Sequence, residues 1–213
     1  MNRRQAALIF LPAERGPTPL HQRFAFGTII AKSTSTRIRT SRFVVWAWIW
    51  CQSRRMNSFF PEPEFETGAE RCIVALAWDY TMETRGEIPA LWHELMNREF
   101  EVENIVPGAA FGVSYDHRPD GTFRYGVGFE SSRPQKLPDG ACLITLAAGT
   151  YAVFRKRAPI AELPPLFDHI FQTWLPASDY QKAEGAVFER YPDDPGATMD
   201  ARVYEIWVPV AAR

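Results

Sequence analysis

Between residues 70 and 100 the hydrophobic pattern changes from that of a strand to that of a helix. Residues 71–79 form a short apolar run, which predicts a first strand. Apolar residues then recur at positions i, i+3, i+4, i+7 and i+8, the spacing of one helical face. The members of this stripe are Ile88, Leu91, Trp92, Leu95 and Met96. Pro89 suits the first helical turn, and we expect the helix to end near Phe100.

A predicted hairpin follows this helix. Residues 109–115 and 123–129 alternate with a period of two, which is typical of half-buried strands. The stretch between them contains Arg118-Pro119-Asp120-Gly121, a turn signature. Asp139-Gly140 marks a second turn, and residues 142–146 predict a further short strand.

The same order of elements recurs in the second half of the chain. Residues 151–154 predict a strand, and residues 163–174 carry a second helical stripe. Residues 186–191 and 203–210 predict two more strands. Each half is therefore predicted to be a strand–helix–strand–strand unit.

The two predicted units also share a short motif. Phe111-x-x-x-Tyr115 in the first half corresponds to Val187-x-x-x-Tyr191 in the second. Two such units side by side predict an α+β fold, in which an antiparallel sheet carries two helices on one face.

Charge divides the chain into two segments. Residues 1–55 carry ten Lys or Arg and one acid, a charge of +9, whereas the remainder carries −10. This asymmetry predicts a basic extension over residues 1–55 and a separate domain over residues 70–213. The acidic charge of the domain argues against direct DNA binding, which depends on basic side chains at phosphates.

The extension lacks sustained helical or strand periodicity, so it offers no helix pair for a helix-turn-helix. We interpret it as upstream sequence attached through a wrong start codon, with Met56 as the true start. A disordered basic arm and an ordered extension are the alternatives, and the second would include a membrane-surface role for residues 44–50. Its apolar run from Phe43 to Cys51 has nine residues, whereas a membrane-spanning helix needs about 20, so no membrane partner is expected.

The residues that usually hold metals or cofactors are sparse. Three widely spaced cysteines form no Cys-x-x-Cys motif, which favours a reducing, cytoplasmic location. The four histidines lack ligand spacing, and no phosphate-binding loop, dinucleotide motif or nucleophile elbow is found. We therefore expect neither a metal nor a cofactor.

Seven short motifs occur in order between residue 70 and the end of the chain. They are Ile88-Pro89-x-Leu91-Trp92, Phe111-Gly112-Val113-x-Tyr115, Phe123-x-Tyr125-x-x-Gly128, Ala148-Gly149-x-Tyr151-Ala152-Val153-Phe154, Trp174-Leu175-Pro176-x-Ser178-x-Tyr180, Phe188-Glu189-x-Tyr191 and Glu205-Ile206-Trp207-Val208-Pro209-Val210. In this order the chain resembles the GyrI-like small-molecule-binding superfamily, the effector-binding module of many AraC- and MerR-type regulators that is also found alone. The resemblance implies the duplicated fold and an aromatic pocket between the halves, often closed on one carboxylate.

Glu189 is the carboxylate that the resemblance places in this pocket. Alternation puts it on one strand face with Val187 and Tyr191, where a carboxylate is costly unless it is paired. One interpretation is an internal ion pair with Arg190 or Arg155. The functional interpretation is a counter-ion for a cationic ligand, or an anchor for a reacting water, with a raised pKa if the site is dry.

Aromatic rings supply the rest of the predicted site, because their faces attract cations. The predicted ligand-binding residues are Glu189, Trp92, Tyr115, Tyr125, Tyr151, Tyr191 and Trp207. For each of these rings, the alternative to ligand binding is a structural position in the hydrophobic core. Trp174 is expected to be structural, and Glu130 is either a second acid at the pocket mouth or a solvated strand end.

Three functions are compatible with this pattern. The first is a stand-alone protein that senses or sequesters a hydrophobic small molecule, with cations among the candidates. The second, which the resemblance implies, is a hydrolase of strained or electrophilic xenobiotics such as cyclopropane-bearing natural products. Glu189 would then activate a water, with Tyr115 or Tyr151 as proton donor and Trp92 stacked on the substrate. The third is modulation of DNA gyrase by protein–protein contact, and a separate regulator is a further candidate partner.

Overall fold

One antiparallel sheet dominates the computed structural model, which describes residues 60–198 and 200–213. The strands within these ranges are β1 (Glu64–Gly68), β2 (Arg71–Tyr80), β3 (Ala109–Tyr115), β4 (Phe123–Glu130), β5 (Cys142–Leu146), β6 (Gly149–Ala158), β7 (Tyr180–Lys182), β8 (Val187–Pro192) and β9 (Arg202–Ala212). The basic extension and the interpretation of Met56 as the start lie outside the described residues.

The two predicted helices are present. They are α1 (Ile88–Asn97) and α2 (Leu163–His169), and a π-helical turn (Ile170–Trp174) joins α2 to the short α3 (Leu175–Ala177). Both α1 and α2 carry proline in the first turn, where the missing N–H breaks no helical hydrogen bond. Helix α1 ends before Phe100, because Arg98 has an extended backbone with φ −99° and ψ 160°.

The strand order confirms the predicted duplication. The sheet runs β1-β6-β9-β8-β3-β4-β2-β5, with β7 paired to β9. The first unit supplies β2, α1, β3 and β4, the second supplies β6, α2, β8 and β9, and the β3–β8 pair joins them. Strands β1 and β7 were not predicted, and the predicted strand β5 lies outside the two four-element units. Strand β1 lies ahead of residue 70 and pairs with β6 of the second unit, whereas β5 pairs with β2 of the first.

The curled sheet has a core on each face. The face that carries the helices is called the helix face. Its core includes Leu76, Leu91, Trp92, Leu95, Tyr125, Phe154, Leu166, Ile170, Tyr191, Tyr204 and Ile206. The core of the opposite face includes Ile73, Phe111, Val113, Ile144, Tyr151, Val153, Phe188 and Trp207.

The predicted correspondence between the two short motifs is wrong by one residue. Phe111 and Tyr115 pack on the opposite face, whereas Val187 and Tyr191 pack on the helix face. In the β3–β8 ladder, Gly112 is paired with Glu189. Because side chains alternate between faces, a shift of one residue moves every side chain to the other side. Tyr115 is therefore not the counterpart of Tyr191.

Candidate functional site

A buried carboxylate lies in the central strand β8. Glu189 extends from the helix face, and only 6% of its surface is exposed. Its Oε2 atom accepts a hydrogen bond from the Tyr125 hydroxyl at 2.7 Å and another from the Tyr191 hydroxyl at 2.6 Å. Strands β8 and β4 thus supply three polar side chains that meet within an apolar core.

The glycine at position 112 leaves room for these hydrogen bonds. Strand β3 lies between β8 and β4, and Gly112 is paired directly with Glu189. A Cβ at this position would lie 2.2 Å from the Tyr125 hydroxyl oxygen and 2.7 Å from Glu189 Oε2. Any side chain here would therefore displace the Tyr125–Glu189 pair. This close approach at Gly112 was not predicted from the sequence, where a glycine inside a strand pattern was the available signal.

The predicted alternative of an internal ion pair at Glu189 is wrong. Arg155 Nε and Arg190 Nη1 instead contact Glu205 on the opposite face, at 3.1 and 3.3 Å. Trp207 Nε1 also donates to Glu205 Oε2, at 2.8 Å. Arg190 follows Glu189 in the strand and so points to the other side. Within residues 60–198 and 200–213, no ion pair includes Glu189.

Burial dominates the protonation chemistry of this cluster. It raises the pKa of Glu189 to about 7, although the hydrogen bonds from Tyr191 and Tyr125 act in the lowering direction. The pKa values of Tyr125 and Tyr191 are raised well above their ordinary range, first by burial and then by the charge of Glu189. Both phenols are therefore neutral donors at physiological pH.

Further aromatic side chains pack against the two tyrosines that hold the carboxylate. Trp92 from α1 meets the Tyr191 ring edge-on at 5.2 Å, and its Nε1 donates to the Tyr125 hydroxyl at 3.3 Å. Tyr80 from β2 meets the Tyr125 ring edge-on at 6.3 Å. The Tyr80 hydroxyl is buried and has no hydrogen-bond partner among the described residues. Tyr80 was not among the predicted site residues, although its place in the alternation of β2 was a usable signal.

The structure brings together four of the seven predicted ligand-binding residues, namely Glu189, Trp92, Tyr125 and Tyr191. The remaining three lie on the opposite face. Tyr151 and Trp207 pack with Phe188, and the Tyr151 hydroxyl donates to a backbone carbonyl at 2.5 Å. Tyr115 lies beneath the Arg124 guanidinium. These three rings do not share a site with Glu189.

Glu130 and Trp174 were also considered in the sequence analysis, and both side chains contact other parts of the fold. Glu130 accepts a hydrogen bond from Arg71 at 2.7 Å, so this acid is part of an ion pair on β4. Trp174, in the π-helical turn, meets the Phe154 ring edge-on at 5.0 Å and packs against the core of the helix face.

The described part of the chain contains neither a candidate metal site nor a helix that could span a membrane. Its His, Cys, Asp and Glu side chains form no group of three or more that could hold a metal ion. None of its helices combines the length and apolar character needed to cross a bilayer.

Comparison with known proteins identifies the family. The sequence model of the GyrI-like small molecule binding domain matches residues 61–211. The chain belongs to the GyrI-like family. This confirms the resemblance inferred from the seven motifs, and the GyrI-like match begins ahead of β1 and ends within β9.

Two curated relatives share part of this GyrI-like domain. Transcriptional regulator BrlR of Pseudomonas aeruginosa is 28% identical over 120 residues, which cover 53% of this chain and 44% of that protein. A DNA gyrase inhibitor of Serratia proteamaculans is 36% identical over 61 residues, which cover 29% of this chain and 39% of that protein. The chain therefore spans less than half the length of these relatives.

A solved structure supports the GyrI-like fold. SAV2435 bound to tetraphenylphosphonium matches with a TM-score of 0.57 and 16% identity, over 70% of this chain and 94% of that one. At this identity the likeness concerns the arrangement of strands and helices alone.

Proposed function

We propose that the GyrI-like domain binds a hydrophobic organic cation at Glu189, and that the protein senses or sequesters this ligand. The observation that carries the proposal is a buried carboxylate with aromatic neighbours and no ion pair among the described residues. A carboxylate in such surroundings is costly to ionise, and an entering cation supplies the missing charge.

The neighbours of Glu189 fit a cation with aromatic groups. Tyr125 and Tyr191 hold one carboxylate oxygen by hydrogen bonds, which fixes its direction. Trp92 and Tyr80 add aromatic surface beside them. A cation against such a ring gains about 0.5–2 kcal/mol per contact. The carboxylate and the aromatic surface therefore favour the same ligand class.

Tetraphenylphosphonium is a suitable probe, since it is a hydrophobic cation and SAV2435 is named as bound to it. We would titrate it into the full chain at pH 8 by isothermal calorimetry. Glu189→Gln should weaken binding by roughly 30-fold, about 2 kcal/mol, because the counter-charge is lost. Glu101→Gln, at an exposed position, is the matched control and should bind like the natural chain. Equal affinities for all three proteins would refute the proposal.

Hydrolysis is a second candidate, because a pKa of about 7 suits a general base at neutral pH. Tyr115 and Tyr151, the predicted proton donors, lie on the opposite face, so Tyr125 and Tyr191 would take that role. A strained cyclopropane electrophile would be incubated with the chain and analysed by mass spectrometry. Addition of water to the ring that is lost in Glu189→Gln would select the enzyme, and an unchanged substrate would exclude this reaction.

Action on DNA gyrase is a third candidate, because one partial relative is named a DNA gyrase inhibitor. The charge of −10 on residues 56–213 would suit competition with DNA for a basic surface. A supercoiling assay with purified gyrase tests this directly. Unchanged supercoiling at a large excess of the chain would rule it out.

A further inference from the structure

We infer that Glu189 exchanges a proton for its cationic ligand. We also infer that the protonated site admits a second ligand class, neutral aromatic molecules that carry a strong hydrogen-bond acceptor. The inference rests on the proposed function, because it concerns the same site.

The two oxygens of the carboxylate are not equivalent. Oε2 accepts both tyrosine hydrogen bonds, whereas Oε1 accepts none from the described residues. Glu189 as a whole residue keeps 6% of its surface exposed, so it is not fully enclosed. Oε1 is therefore the oxygen that can carry a proton or meet a ligand. When protonated, it presents an O–H donor that a neutral acceptor satisfies.

Burial favours the neutral form of the empty site more strongly than the two tyrosine hydrogen bonds favour the ionised form, and the described groups next to Glu189 carry no charge. The phenols of Tyr125 on β4 and Tyr191 on β8 are uncharged donors, and Gly112 on β3 has no side chain. From α1, Trp92 contacts the Tyr125 hydroxyl, and its indole ring has no titratable group.

More distant charges act on the neighbouring tyrosines. Arg202 on β9 is buried, and its charge influences Tyr191. Glu87 and Glu94, next to and within α1, influence Tyr80. Glu87 and Glu94 are themselves acids, and no ion pair among the described residues includes Glu189, so no positive charge compensates the ionised carboxylate there until a cation enters.

Proton balance differs between the two ligand classes. A cation binds the carboxylate, so the Oε1–H bond breaks and the proton leaves to solvent. A neutral acceptor binds the carboxylic acid and retains that proton, so any ionised fraction takes one up. With a pKa of about 7, the dissociation constant of the cation should rise about 90-fold from pH 8 to pH 5. The dissociation constant of the neutral ligand should fall about 10-fold from pH 8 to pH 5.

Calorimetry of the full chain with two probes tests this exchange. Tetraphenylphosphonium is the cation, and triphenylphosphine oxide is the neutral acceptor of similar shape. Titrations at pH 5–8 in buffers of different ionisation enthalpy count the protons released. We expect close to one proton released per cation at pH 5, and few at pH 8. Glu189→Gln, a mimic of the protonated acid, should bind the oxide with an affinity that does not vary with pH.

The negative results distinguish a failure of the proton exchange from a failure of the proposed function. If the cation binds without proton release and with constant affinity, the exchange is wrong and the proposed function stands. If neither probe binds at any pH, both are wrong. A carbon-13 NMR titration of the ligand-free chain is a second measurement, assigned through Glu189→Gln. A Glu189 carboxyl carbon that titrates near the ordinary range of about 4 would overturn the exchange whatever the ligands do.

Discussion

Replacement of Glu189 by glutamine should stabilise the empty protein, and increasingly so as pH rises. The carboxyl has a pKa of about 7 in the folded chain, against an ordinary value of 4.5. Between these values the folded chain binds more protons than the unfolded chain, so this group lowers the stability as pH increases. This is the reverse of a salt-bridged carboxylate, whose pKa is lowered by folding.

The size of the effect follows from the two pKa values. From pH 5 to pH 8 the ionisation of Glu189 should remove about 2.5 kcal/mol from the free energy of unfolding. Glutamine does not ionise, so the Glu189→Gln variant avoids this loss. The difference in melting temperature between the variant and the natural chain should therefore grow by about 5–10 °C over this range.

Urea denaturation, followed by circular dichroism at pH 5, 6, 7 and 8, measures this effect. The quantity to compare is the stability of the variant minus that of the natural chain at each pH, because other titrating groups then cancel. The exposed Glu101→Gln is the control and should give a flat line. A flat line for Glu189→Gln, or a variant that loses relative stability as pH rises, would refute a desolvated carboxylate here.

Two other substitutions test the surroundings of the carboxylate. Gly112→Ala should lose about 3 kcal/mol of unfolding free energy and weaken tetraphenylphosphonium binding, because the new Cβ meets Tyr125 and Glu189. Gly149→Ala, also in a strand but with open space at its Cβ, is the control, and equal losses would contradict this clash. Tyr80→Phe removes a buried hydroxyl without a partner among the described residues, so it should stabilise the empty protein by about 1 kcal/mol in urea denaturation. A loss of stability would show that the Tyr80 hydroxyl has a hydrogen-bond partner in the folded chain.

The main elements were predictable because their patterns are local. The apolar stripe that contains Leu91 and Trp92 is visible within ten residues, and it packs on the sheet as expected. Strand β1 is different, because Glu64–Gly68 is short and acidic and has no apolar alternation. Its partner β6 belongs to the other unit, and such a pairing cannot be read from local sequence.

The site was only partly predictable, for a related reason. Alternation shows that Glu189 and Tyr191 share one face, and the structure agrees. Alternation within one strand does not show which face carries the helices. Tyr151 and Trp207 were therefore assigned to the site, although their side of the sheet is opposite to that of Glu189.

A crystal structure of the chain with tetraphenylphosphonium would show directly whether Glu189 holds the cation. We expect the phosphonium to lie on the helix face, against Glu189 Oε1, with its phenyl rings in contact with Trp92 and Tyr125. A phosphonium on the opposite face, among Tyr151, Phe188 and Trp207, would contradict it.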